Sequence, residues 1–183
     1  MRVAVYSGSF NPLHTGHLAI MEHLTRKGSF DMIYLVVTPQ NPLKSPGDNA
    51  QGRFEAAKQA VGRHPGLKVR VDDIELNMEP PQYTVRTLKA LKAREPENDF
   101  TLVIGADNLE RFPHWRDHGT ILREFGVVVF PRKGYHRGHL RDRLLKEDPS
   151  YKIELLKAPL VNISSTEIRE GLAAGKDMSK WLM

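Results

Sequence analysis

The chain contains no cysteine. That absence removes disulfides, zinc–thiolate sites, iron–sulfur clusters and thiol nucleophiles together, and it makes the cytoplasm the expected compartment. No hydrophobic run approaches the ~18 residues a membrane-spanning helix needs. The opening MRVAVYSGSF holds too short an apolar stretch for a signal peptide and no small-residue cleavage site. Internal repeats, heptads, low-complexity tracts and linker-like breaks are also missing. One domain covering residues 1–183 is therefore expected.

What is present is a basic chain, 40% hydrophobic and 27% charged, with 27 Lys and Arg against 22 Asp and Glu. The net charge of +5 draws anions, but it does not separate phosphate esters from nucleic acid. The densest basic stretch, Arg132–Arg143, has little aromatic interleaving. It reads as a solvated helix face and loop, with Arg132 set apart because it directly follows a strand.

Short apolar runs alternate with helical patterns along the chain. Strands are predicted at Val3–Tyr6, Met32–Val37, Leu67–Val71, Phe100–Ile104, Gly126–Phe130 and Lys152–Leu156. Helices are predicted from Thr15 or Gly16 to about Gly28, and over Asn49–Arg63, Thr84–Arg94, Asp117–Glu124, His139–Lys146 and Ser165–Ala174, with a short segment after Asp107. In the first helix Leu18, Met21, His23 and Leu24 are expected to share a side. Continuous apolar strands such as VVVF fit a sheet covered on both faces. The predicted fold is α/β, a doubly wound Rossmann-like domain with a mostly parallel sheet. Ligands in such folds sit beyond the carboxyl ends of strands, near the switch point. The loops after Tyr6, Val37, Ile104 and Leu156 are thus the candidate sites.

The loop Gly8–His17 (GSFNPLHTGH) joins the first strand to the first helix. Gly8 would allow a ligand close to the backbone, and the helix start offers unpaired N–H groups to an anion. His14 and His17 are three residues apart, so both imidazoles can face that anion, with Gly16 leaving the face uncovered. No cysteine or carboxylate completes a tetrahedral metal set with them. The loop is neither G-x-G-x-x-G nor G-x-x-x-x-G-K-[ST], against a dinucleotide dehydrogenase and a P-loop NTPase. Gly171–Lys176 (GLAAGK) is one residue short of the latter and reads as a helix end. His114 and His118 have helical metal spacing, a weak signal, and no metal is assigned there. Late in the chain, Ser165 or Thr166 can cap the last helix, and Arg169 then lies near the end of its first turn.

GSFNPLHTGHL resembles the H-x-G-H signature of the nucleotidyltransferase superfamily, and Ile163–Arg169 (ISSTEIR) resembles its second signature, I-S-S-T-x-x-R. The resemblance implies transfer of a nucleotide monophosphate from a nucleoside triphosphate, with pyrophosphate leaving. On it, His14, His17, Lys44 and Arg169 are the catalytic candidates. Gly8, Ser9, Phe10, His14, His17, Gly105, Asp107, Ile163, Ser164, Ser165, Thr166 and Arg169 are the ATP-binding candidates. Mg2+ would be carried mainly by the substrate phosphates, with no protein metal site.

Ile104–Leu109 (IGADNL) followed by Phe112 and Trp115 is similar to the IGAD…W pattern of nicotinate-nucleotide adenylyltransferases. Asp107 could accept from ribose hydroxyls, and Trp115 offers a flat face to a pyridine ring. Tyr83, Thr84, Trp115 and Arg132 are the acceptor-binding candidates. The implied partners are ATP and nicotinate mononucleotide, with no membrane and with nucleic acid disfavoured; the oligomeric state stays open. Nicotinamide mononucleotide and phosphopantetheine are the sibling acceptors, and a basic nucleic-acid-binding domain is the distant alternative. Two departures stand out. The family's P-P-H-K is Asn41-Pro42-Leu43-Lys44 here, and Arg86 replaces the usual acidic residue before T-L.

Overall fold

A computed structural model describes residues 1–26, 30–40, 46–160 and 162–183. Six strands form one sheet in the order β3-β2-β1-β4-β5-β6. They are β1 (Arg2–Gly8), β2 (Met32–Val37), β3 (Val69–Asp72), β4 (Asp99–Gly105), β5 (Val127–Phe130) and β6 (Ile153–Leu155). Every pairing is parallel; β1 meets β2 with Tyr6 opposite Leu35, and β4 with Tyr6 opposite Val103. The order reverses between β1 and β4, so the switch point falls where the Gly8 and Gly105 loops leave the sheet.

The helices are α1 (Thr15–Arg26), α2 (Ala50–Gly62), α3 (Thr84–Arg94), α4 (Ala106–Arg111), α5 (His118–Thr120), α6 (Arg137–Glu147) and α7 (Ser165–Ala173). Alternation within the strands divides the core. Val3 and Val5 pack with Val85, Leu88 and Leu109 on one face, whereas Ala4 and Tyr6 pack with Met21, Leu24 and Phe54 on the other. Helices therefore cover both faces. Each fully buried side chain such as Leu24 or Leu88 contributes roughly 1.5–3 kcal/mol.

Three expectations need correction. The buried side of α1 is Gly16, Ile20, Met21 and Leu24. His23 leaves that set because its ring Nδ1 bonds to the Ala19 carbonyl at 2.8 Å. The expected helix Asp117–Glu124 begins with Asp117 at φ +52° and widens into a π turn over Ile121–Phe125. Gly126 ends it at φ +85°, where a Cβ would lie 2.9 Å from Lys152. A 3-10 turn, Ile74–Asn77, precedes the Pro80-Pro81 loop that the sequence suggested. The expected stop at Gly28 lies outside the described residues.

Candidate active site

At the entry to α1 the two histidines lock each other. His14 Nδ1 accepts the Gly16 N–H at 3.0 Å, and His17 Nδ1 accepts the His14 N–H at 3.1 Å. Their rings stack with centroids 3.7 Å apart and 29° between planes. With both Nδ1 atoms accepting backbone protons, the neutral rings carry their proton on Nε2. Burial, reinforced by the Arg132 charge, pushes His14 down to about 4. Burial and the charges of His14 and Arg132 hold His17 well below the usual histidine value. Two neutral imidazoles thus present Nε2–H donors at neutral pH.

Gly8 plays a different part from the one expected of it. The position a Cβ would take is 3.1 Å from the Phe10 ring, so that space is filled from within the loop. Phe10, held at φ +47°, turns its ring edge-on to Tyr6 and His17 at centroid distances of 5.4 and 5.2 Å. It is buried behind His17 and borders the larger cavity on the other side of the loop, not the histidine cavity where it was expected.

The second signature closes over the first. Ser164, one residue before the expected cap, is the N-cap of α7; its Oγ accepts the Glu167 N–H at 3.1 Å and donates to Glu167 Oε1 at 3.2 Å. That frees Ser165 Oγ to donate to the Pro12 carbonyl at 2.9 Å. Arg169 Nη1 donates to the Asn11 carbonyl at 2.6 Å, and its Nη2 to Thr166 Oγ1 at 3.2 Å. Contacts spanning more than 150 residues of chain therefore stitch the loops together. They enclose a cavity of about 280 Å³ bordered by Ser9, His14, His17, Ser165, Arg132 and Arg169, with Ile163, Ser164 and Thr166 on its rim.

Gly105 and Asp107 stand beside this cavity. A Cβ at Gly105 would sit 2.5 Å from Asp107 Oδ1 and 2.9 Å from the Phe130 ring, so this glycine makes room for the Asp107 carboxylate. Arg132 Nε lies 3.5 Å from that same oxygen. Arg132 was expected with the acceptor residues, but it borders the histidine cavity instead, because the end of β5 lies next to the switch-point strand β4.

Tyr83, Thr84 and Trp115 do come together, lining a second cavity of about 280 Å³ with Gln82, His114 and Arg116. The half-buried Trp115 ring stacks on Phe112 at 4.7 Å and 29°. Arg116 lies over the Tyr83 ring at 4.7 Å. His118 turns away to Glu147 Oε2 at 3.0 Å. Among the described residues no cluster of three or more His, Cys, Asp or Glu is arranged to hold a metal. Lys44, with the Asn41–Lys44 departure, lies outside the described residues. Arg86 donates to the Glu79 carbonyl at 2.9 Å and to that of Pro81, so this departure braces a loop. In the basic segment, Arg137 joins the ends of two strands through the Val129 and Leu156 carbonyls at 2.8 and 2.6 Å.

Sequence reasoning missed Arg53. This buried guanidinium pairs with Asp48 at 3.1 and 2.8 Å and donates to the Ser9 and Thr38 carbonyls at 2.7 and 3.0 Å. An arginine on the apolar side of α2 beside Phe54 and Ala57 was the signal available. A larger cavity of about 670 Å³ opens on the other side of the loop, between α2 and the chain's last residues. Arg53 and Arg63 line the larger cavity, whereas Arg132, Arg169 and the paired imidazoles line the smaller one. Leu182 also pairs antiparallel with His14, a contact no local pattern announces.

Paired neutral donors and a capped helix start at the switch point of a parallel sheet define a nucleotidyltransferase. The chain belongs to the cytidylyltransferase-like family, whose model matches residues 5–171, and to the nicotinate-nucleotide adenylyltransferases represented by its full-length relatives. A "Probable nicotinate-nucleotide adenylyltransferase" of Flavobacterium johnsoniae is 35% identical over 182 residues, covering 100% of this chain and 92% of that protein. One of the same name from Bacteroides fragilis is 36% identical, covering 99% and 87%. In fold, the chain is similar to Plasmodium falciparum nicotinic acid mononucleotide adenylyltransferase complexed with NaAD. That match has a TM-score of 0.77 and 19% identity, covering 99% of this chain and 90% of that one. No helix among the described residues is long and apolar enough to cross a membrane.

Proposed function

We propose that residues 1–183 act as one adenylyltransferase domain that joins ATP and nicotinate mononucleotide into nicotinate adenine dinucleotide, releasing pyrophosphate. The observation that carries this reading is the pair of stacked, neutral histidines facing the α7 start and Arg169 across one cavity. In the proposed step an acceptor phosphate oxygen forms a bond to the α-phosphorus while the bond from that phosphorus to the β-phosphate bridging oxygen breaks. No covalent enzyme intermediate is required; positioning and charge stabilisation carry the rate.

His14 is assigned to the α-phosphate and His17 to the charge developing there and on the leaving oxygens, each through Nε2–H. Ser9 and residues 163–166 frame the triphosphate, with Lys44, Arg132 and Arg169 as its cations. Gly105 and Asp107 serve the nucleoside sugar. Tyr83, Thr84 and Trp115 receive the pyridine ring of the acceptor, and the relatives' names support nicotinate as its base. The cavity offers imidazoles, hydroxyls and guanidinium groups, donors suited to an anion and poor ligands for a divalent ion. A bound Mg2+ would therefore be held by the substrate phosphates, where it would neutralise part of their charge. The proposed compartment is the cytoplasm.

Pyrophosphate release from ATP, measured side by side with nicotinate mononucleotide, nicotinamide mononucleotide and phosphopantetheine, tests the reading. Turnover fastest with the nicotinate nucleotide is expected. Activity with none of the three would overturn it, and salt-sensitive DNA or RNA binding in its place would point to the nucleic-acid alternative.

A further inference from the structure

The 3-10 turn Ile74–Asn77 hides a carboxylate that no step above employs. Glu75 is 2% exposed, and Thr87, across from it on α3, is fully buried. Thr87 Oγ1 donates to Glu75 Oε2 at 3.0 Å. The Thr38 hydroxyl also faces the carboxylate, while Oε1 makes no hydrogen bond among the described residues. A buried acid with one full partner weakens a core that an apolar side chain would serve better. The two elements it joins supply a reason for its presence.

Thr38 follows β2 and is tied to the first loop: its N–H donates to the Gly8 carbonyl at 2.9 Å, and its own carbonyl accepts from Arg53 at 3.0 Å. Thr87 sits one helical turn after Tyr83, whose carbonyl accepts the Thr87 N–H at 3.2 Å. Tyr83 is the N-cap of α3 and provides no side-chain cap. The start of α3, which carries Tyr83 and Thr84 into the Trp115 cavity, is therefore held from below.

We infer that Glu75 is a positioning residue: by gripping Thr87 beside Thr38, it sets where Tyr83 and Thr84 stand relative to the nucleotide loop and so governs acceptor binding. The inference rests on the Trp115 cavity being the acceptor site. A residue that merely filled the core would alter stability and leave the two substrates equally affected.

The test measures KM for ATP and for nicotinate mononucleotide, acceptor binding by calorimetry, and melting temperature. T87V removes the hydroxyl that bonds Glu75 Oε2 and also reaches the Tyr83 carbonyl at 3.4 Å, and it should raise acceptor KM and Kd about tenfold, the scale of one buried hydrogen bond. Its ATP KM should stay within about twofold. E75Q, which keeps an oxygen for Thr87, should restore most of the acceptor affinity that E75A loses; if E75A fails to fold, E75L takes its place, and an acceptor affinity unchanged in E75L overturns the inference. T87V with both KM values unchanged, or both raised equally, overturns the inference. A wild-type protein that neither binds nor turns over the nicotinate nucleotide overturns the functional reading first, and this inference with it.

Discussion

Arg132 Nε stands 3.5 Å from Asp107 Oδ1, and the pair joins the exit of β5 to the first turn of α4 beside the stacked histidines. The carboxylate holds the guanidinium where its charge disfavours protonation of both rings. Arg132→Met should raise the His14 pKa from about 4, as read by NMR titration of the ring protons. An unmoved His14 would show that burial alone sets its state.

The same depression fixes a stability window. Unfolded His14 takes up a proton below its ordinary value of 6.5, whereas folded His14 resists until about 4. The unfolded state thus binds more protons in that interval, and His14 withdraws stability as pH falls through it. NMR titration of the wild-type ring protons should show neither His14 nor His17 taking up a proton between pH 6 and 7. Protonation of either ring in that range would mean a cationic imidazole in the free protein.

His17→Ala should lower kcat by about 10²–10³, the scale of losing one charge-stabilising donor, while circular dichroism and the melting curve stay close to wild type. Because His17 Nδ1 also accepts the His14 N–H, His17→Asn is the cleaner companion. Its side-chain oxygen can take that N–H, yet the Nε2–H donor is gone. Wild-type kcat in both variants would refute the role assigned to His17.

Trp115→Ala should weaken nicotinate mononucleotide binding on the order of tenfold, from lost ring stacking, and affect ATP far less. The indole stacks on Phe112 and lines a cavity that shares no lining residue with that of the histidines. Equal losses for both substrates would mark Trp115 as an anchor for α4 and nothing more.

Burial pushes the Glu75 carboxyl up from 4.5 to about 7. Between those values the folded chain keeps a proton that the unfolded chain has released. Glu75 therefore withdraws stability as pH rises through the window, and the loss persists above it. Glu75→Gln does not titrate, so its melting temperature should gain on wild type between pH 5 and pH 8. A constant difference would disconnect this carboxyl from folding.

Some elements were legible residue by residue. Met32–Val37 and Thr84–Arg94 stand where their apolar periodicities put them. Asn49 and Arg63, the predicted ends of a helix, are the caps of α2. The two signature loops also lie on the strand and helix ends expected of them. All of this depends on neighbours within a turn or two, which is the range over which a sequence pattern carries its own meaning.

Other features needed the folded chain. Tertiary packing placed Arg132 with the histidines, and it bound Ser165 and Arg169 to carbonyls 153 and 158 residues away. The lowered proton affinity of both histidines and the buried contact of Glu75 with Thr87 likewise come from packing. The two signature motifs, through their resemblance to the nucleotidyltransferases, named the chemistry, and the strand, loop and helix that carry them form locally. Proton affinity and reach were settled by burial and by long-range pairing, which no linear pattern contains.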